Sequence, residues 1–333
     1  MLLALAAVPV VVSAVLGLGA HRVGGLLPPG SAVKVLAPTA LVTALATGFC
    51  LSVVAFTALA RIPLVASLGQ WSVGVLGVDG TPPPVGGAVL GVLVMALLLM
   101  ALRRSVRTAT ELTQAMVACR HLRALSDRLV LVEDDVADAF AVPGLRGKIV
   151  ITTGMLKALD PRERQALIAH EQAHLAHHHQ LYIQAADLAA AANPLLRPTA
   201  THVRKLTERW ADEEAARTVD DRHLTARALA KAALARAATR RDAAPPLAMA
   251  ASAGDVAERA VALTRPAPAS RPRVSGVILT LGIASLLASL WAAHTTEATF
   301  EHAHAVYDTA YGNQLPGRTG IPPTLGDRPG HHL

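Results

Sequence analysis

The chain has 333 residues, 52% of them hydrophobic, with a mean hydropathy of +0.40 and a formal net charge of +7. That is too apolar for an ordinary water-soluble protein of this length. The basic balance does not indicate direct nucleic-acid binding: only 3% of residues are aromatic, too few to stack bases, and the charge is spread along amphipathic helices that suit solvation and anionic lipid.

Residues 1–20, 35–60, 85–102 and 274–293 carry no charged side chain. Each is about the ~20 residues that a helix needs to cross a bilayer core of ~30 Å. Four spans are therefore expected. The first is read as a span because it lacks a basic leader and has no clear cleavage site ahead of a soluble domain. Arg22 and Lys34 flank the first loop, Arg103, Arg104 and Arg107 follow the third span, and Arg271 and Arg273 precede the fourth. The second loop holds Arg61 and Asp79 and is otherwise apolar, Gly and Pro. By the excess of Lys and Arg on inner loops, the N-terminus faces outward and residues 103–273 face the cytoplasm. Cys50 lies in a span and Cys119 in the cytoplasmic part, so neither a disulfide between them nor a thiolate metal site is expected.

After the third span, residues 104–125 read as a polar, helix-prone segment. Leu129–Glu133, Ala139–Val142 and Lys148–Thr152 read as three short strands, with Pro143-Gly144 turning between the last two. Asp160, Pro161 and Glu163 then form the start signals of a helix, a cap with its capping box. That helix contains His170-Glu171-Gln172-Ala173-His174. Positions i and i+4 share a helix face, so both imidazoles can reach one metal ion while the intervening carboxylate stands beside it as a general base. A hydrolytic zinc site needs a third protein ligand and leaves the fourth position for water. Glu208, on a later helical run, is the expected third ligand. Asp212, one turn further on the same face, is the expected acceptor for the outer nitrogen of a ligand histidine. Glu213 and Glu214 point elsewhere. The adjacent His177, His178 and His179 read as a polar, membrane-proximal helix end, and Trp210 as packing.

Residues 181–196 are apolar but short, and contain Asp187, Asn193 and Pro194. A span here would separate Glu208 from His170 and His174 by a membrane, so a buried or interfacial helix resting on the bilayer is expected. Residues 242–273 read as an Ala- and Pro-rich linker with one short helix. No oxyanion-stabilising residue stands out; Arg222 and His223 are near only in sequence. The terminal His331 and His332 read as tail.

The run Asp138 to Val142, Lys148 to Leu156, His170 to His174 and Glu208 to Asp212 resembles the zinc-dependent membrane peptidases, over roughly residues 85–293. Two related groups share this layout, the HtpX-type and CAAX prenyl proteases and the BlaR/MecR-type antibiotic-sensing transducers. Asn193-Pro194-Leu195-Leu196, Ala226-Arg227-Ala228-Leu229 and Val256 to Leu263 are similar to the BlaR/MecR-type pattern. Ala211 stands where that group often has Cys, as in the HtpX-type group. BlaR itself carries a penicillin-binding sensor after its last span, where this chain has about 40 residues.

The expectation is an α-helical integral membrane protein of four spans, with a cytoplasmic α+β zincin-like metallopeptidase domain inserted between spans three and four. Residues 1–102 hold three spans, 103–273 the peptidase domain, 274–293 the fourth span and 294–333 an outer tail. One Zn2+ per chain is expected on His170, His174 and Glu208, with Glu171 catalytic and Asp212 behind a ligand histidine. The resemblance implies a membrane-bound zinc metalloendopeptidase that cleaves a cytoplasmic repressor, such as a winged-helix transcriptional repressor, or itself. A quality-control protease of the HtpX type and a non-catalytic zinc-bearing receptor are the alternatives. The Arg- and Ala-rich, Lys-poor usage is that of a GC-rich bacterial genome, and with the four spans and the resemblance the expectation is a multi-pass protein of the bacterial plasma membrane, with the lipid bilayer and a protein or peptide substrate as partners.

Overall fold

The computed structural model describes residues 1–76, 82–118, 128–144, 147–239, 246–266 and 269–311. Among the described residues, four helices are long and apolar enough to cross a membrane: α1 (Leu2–Leu26), α2 (Pro29–Leu59), α5 (Pro84–Ala118) and α12 (Pro272–Tyr311). Between α2 and α5 lie two short helices, α3 (Pro63–Gly69) and α4 (Val73–Leu76). Leucine-, valine- and alanine-rich runs without charge leave these helices apolar all round. Many of their large side chains, such as Leu18, Leu45, Val92 and Leu287, face outward, as expected where lipid is the solvent.

Residues between α5 and α12 form a second, mixed part. Strands β1 (Leu129–Val132), β2 (Ala139–Val142) and β3 (Lys148–Thr152) make one sheet in the order β1-β3-β2, the first pair parallel and the second antiparallel. All three strands stand where the sequence predicts them. Helices α6 (Thr153–Ala158), α7 (Pro161–Ala176), α8 (His179–Ala192), α9 (Arg197–Val219), α10 (Arg222–Thr239) and α11 (Pro246–Leu263) follow. Ile151, Met155, Leu159, Leu167 and Ala232 close a small core between the sheet and helices α7 and α10.

A larger core joins the two parts. Val12 and Leu16 of α1, Val33 and Leu36 of α2, Ala186 and Ala189 of α8, and Val203, Leu206 and Trp210 of α9 pack into one cluster. The turn between α1 and α2 is tight, and Leu27 in it is fully buried. Gly30 faces Trp210 so closely that a Cβ there would lie 2.8 Å from the indole ring.

The fold departs from the sequence reading in two places. Helix α8 does not merely rest beside the spans: it packs against α2 and α5. At its end Asn193 donates to Ser13 Oγ at 2.8 Å and to Thr47 Oγ1 at 3.3 Å, halfway along α1 and α2. The chain turns there through a short 3-10 segment, Pro194–Leu196, and returns as α9. Non-helical backbone at such a depth needs polar partners inside the protein, and the Ser13, Thr47 and Asn193 side chains supply them. Asp187 is accommodated because Arg104 and Arg204 both pair with it.

The helix-prone continuation of the third span is helical as far as it is described, α5 running unbroken to Ala118. Second, α12 extends well past residue 293, so the first part of the expected tail is helical. At 1.5 Å per residue its 40 residues reach roughly 60 Å, about twice a bilayer core. At the end of α2 remote from Trp210, Phe300 on α12 meets Phe56 and Trp71, and Ser72 N–H donates to the Ala303 carbonyl at 3.0 Å. Cys119, His331 and His332 lie outside the described residues.

Candidate metal centre

Helix α7 begins as its sequence dictates. Asp160 accepts from Glu163 N–H at 2.9 Å, the Glu163 carboxylate accepts from Asp160 N–H at 3.0 Å, and Pro161 occupies the first turn. Glu163 is fully buried and also meets Lys231 at 2.6 Å and Arg227 at 2.9 Å on α10. This anchors the start of the helix that carries His170, Glu171 and His174.

The Nε2 atoms of His170 and His174 face each other at 3.1 Å. Across from them, Glu208 Oε2 lies 3.7 Å from His170 Nε2 and Oε1 lies 3.6 Å from His174 Nε2. Among the described residues this is the one cluster of His, Cys, Asp or Glu with converging ligand atoms. Ligand atoms held ~2.0–2.2 Å from a tetrahedral zinc are ~3.3–3.6 Å from one another, and the three separations straddle that range. The donor set therefore fits a zinc ion.

The outer nitrogens fix which lone pairs point inward. His170 Nδ1 lies 2.9 Å from Asp212 Oδ1, the contact expected for Asp212. Burial disfavours a charge on His170, yet the hydrogen bond and charge of Asp212 outweigh it and hold its pKa above the usual value; metal loading would then release a proton. Asp212 is itself buried, which favours its neutral form, but bonds from Arg259 and His170 keep it ionised, with a pKa of about 2. His174 Nδ1 lies 3.1 Å from His179 Nδ1. Burial, then the charge of His170, lowers the His174 pKa to about 4. His179 is fully buried, with its ring 4.6 Å from that of Trp210. Burial and its histidine neighbours lower its pKa to about 3. A neutral His179 can accept the Nδ1 proton of His174, leaving the Nε2 lone pair free for a metal.

This corrects the reading of the three adjacent histidines as a polar helix end. Helix α7 stops at Ala176, His178 adopts a left-handed backbone with φ of 52°, and the chain folds His179 back onto His174. The sequence signal was present only as a histidine five positions after His174, without the turn that makes it count.

Glu171 lines a cleft of about 310 Å³ between β2, α7, α8, α10 and α11. Burial raises its pKa to about 7, with Glu208 adding to the rise, while His170, Arg236 and a hydrogen bond from the Ala141 amide oppose it. That value suits a group that takes and returns a proton near neutrality. Strand β2 is the edge of the sheet that borders the cleft. Thr152 N–H donates to the Asp138 carbonyl, so the alternation of the ladder turns the main-chain groups of Ala139 and Ala141 toward the cleft.

Sequence reasoning missed two arginines. Arg259, on α11, forms a fork with Asp212 at 2.7 Å to each oxygen and reaches Glu208 Oε2 at 3.0 Å. The segment expected to be a mere linker thus carries a wall of the cleft. Arg236, on α10, also lines it. Arg222 is not in the cleft: it pairs with Glu213 at 2.5 Å and with main-chain oxygens of Leu263 and Arg265. Glu214 pairs with Arg217 at 2.6 Å, so Glu213 and Glu214 both point away as expected.

With the helix, the facing imidazoles and the adjoining strand in place, comparison with known families becomes informative. Residues 107–193 match the family model of peptidase family M48. The matched stretch includes the sheet, His170, Glu171, His174 and His179, and supports a metallopeptidase of that family. Glu208, Asp212 and Arg259 fall beyond the matched stretch and rest on geometry. No curated protein and no solved structure matches the chain.

Proposed function

We propose that this chain is a membrane-bound zinc metalloendopeptidase of the bacterial plasma membrane, with its active site at the cytoplasmic face. The convergence of His170, His174 and Glu208 beside Glu171 and an open strand edge carries this reading. His170, His174 and Glu208 would hold the zinc ion, which when bound would supply a water of lowered pKa and a Lewis acid for the scissile carbonyl. Glu171 accepts the proton of the attacking water and delivers it to the leaving nitrogen. An extended substrate lies along β2, its backbone paired with the main-chain groups of Ala139 and Ala141.

Helix α9 supports a site close to the membrane. From Asn193, halfway along the first two spans, to Glu208 the chain climbs roughly 20 Å. The half-thickness of a bilayer core is ~15 Å. Glu208 therefore stands just beyond the hydrocarbon, on the side of Arg22, Lys34 and Arg104, which is the inner side by the distribution of basic residues.

The role we favour is a regulated one, cleavage of a cytoplasmic repressor or of the chain itself. The segments around Asn193 and Arg259 that resemble the BlaR/MecR-type pattern support it. Ala211 favours the second reading, a quality-control protease of the HtpX type. The test is zinc content and self-cleavage of detergent-purified protein beside Glu171→Gln. Near one zinc in both with cleavage only in wild type is the expected result. Absence of zinc from both proteins would remove the reading.

A further inference from the structure

Glu171 and Glu208 line the cleft, Asp212 is buried behind His170, and Arg259 touches Glu208 and Asp212. Its Nε and Nη2 bond Asp212 Oδ2 and Oδ1, while Nη1 bonds Glu208 Oε2. Asp212 Oδ1 is the same oxygen that faces His170 Nδ1, and Glu208 Oε2 is the oxygen nearest His170 Nε2. One guanidinium thus sets the direction of a carboxylate ligand and of the carboxylate that orients a histidine ligand. Its side chain is only 17% exposed and Asp212 only 2%, so water cannot replace it at little cost.

The shape of the group matters as well as its charge. A planar fork with donors on three nitrogens can hold two carboxylates at fixed angles, whereas an ammonium acts as a point charge. Removing the fork leaves Glu208 and Asp212 to repel each other and to choose other rotamers. We propose that Arg259 is a positioning residue of the metal centre, acting through Glu208 and Asp212. The proposal rests on the zinc reading above.

Arg259 is carried by a docked helix. Helix α11 is held on α9 by Lys205 and Asp255 at 2.6 Å, and its end is held by Arg222 through the carbonyls of Leu263 and Arg265.

The test uses the full chain in detergent: wild type, Arg259→Ala, Arg259→Lys and Lys205→Ala, the last loosening α11 without touching the site. Zinc affinity is measured by competition with a chromophoric chelator, and the unfolding midpoint is measured on the metal-free proteins. Both Arg259 variants should bind zinc roughly 10–100-fold more weakly, the scale of lost outer-sphere support. Arg259→Lys should keep a midpoint near that of wild type, and Lys205→Ala should keep wild-type zinc affinity. If Arg259→Ala does not fold, Arg259→Lys decides. Wild-type affinity in Arg259→Lys overturns the proposal, as does an equal loss in Lys205→Ala, which would trace the effect to helix docking. Wild type without zinc removes the metallopeptidase reading and the proposal together; zinc bound equally by wild type and Arg259→Lys removes the proposal alone.

Discussion

The guanidinium of Arg236 donates to the main-chain oxygen of Ala139 at 3.0 Å, on the open edge of β2, and pairs with Asp138 at 2.8 Å. It holds an acceptor that an extended substrate would need, and its positive charge lowers the Glu171 pKa. Arg236→Ala should lower KM several-fold on an unfolded protein substrate by freeing that acceptor. With the cation gone the Glu171 pKa rises, and because Glu171 works ionised, the acid limb of the kcat/KM profile should move to higher pH. Zinc content should not change. A rise in KM with an unmoved acid limb would count against this account.

His179 should behave as part of the centre although it touches no expected substrate. His179→Ala removes the acceptor for His174 Nδ1 and should weaken zinc binding by roughly tenfold or more. His178→Gly, one position earlier, keeps the left-handed backbone and lies outside that contact, so it should not weaken it. Equal chelator competition curves for wild type and His179→Ala would refute the assignment.

Gly17 is where α1 passes the turn after α8. A Cβ at this position would lie 2.3 Å from the Leu195 carbonyl oxygen, and backbone cannot move aside cheaply. Gly17→Ala should destabilise the folded chain by about 1–3 kcal/mol, seen as a lower thermal midpoint. Gly19, with open space around it, should accept alanine without loss.

The Glu163 carboxylate gives a pH signature. Burial works against its ionised form, but Lys231, the Asp160 amide and Arg227 prevail and bring its pKa down from 4.5 to about 2. A depressed pKa stabilises the fold above the unfolded value and ceases to do so as pH falls through the folded one. Glu163→Gln should therefore lower the thermal midpoint at pH 7. The gap from wild type should stay constant down to about pH 4.5 and close toward pH 2. A gap that persists unchanged at pH 2 would show that the pairing contributes nothing.

What the sequence made legible was local. The capping box of α7, the positions of the three strands and the helical i, i+4 spacings of His170 with His174 and Glu208 with Asp212 are short-range patterns, and each falls on the element expected for it. The missed features depend on contacts between distant segments. Arg259 meets Asp212 from 47 positions away, in a stretch whose Ala and Pro content resembles a linker. Asn193 lies 180 positions from Ser13, so nothing near residues 181–196 could indicate how far that helix enters between the spans. His179 depended on one left-handed residue, His178, for which the sequence offered no glycine as a cue.

The packing of Trp210 has a practical consequence for how this protein can be studied. Its indole, with Val203 and Leu206, is buried against α1 and α2, and Lys34 lies 5.0 Å over its ring. The helix that presents Glu208 and Asp212 thus has its hydrophobic floor in the first two spans. A fragment cut at residues 103–273 would leave that floor open to water and lose the partner surface of α9. The portion that reads like an independent catalytic unit is better regarded as half of one folding unit, and reconstitution should start from the whole chain in a lipid or detergent that keeps α1 and α2 in place.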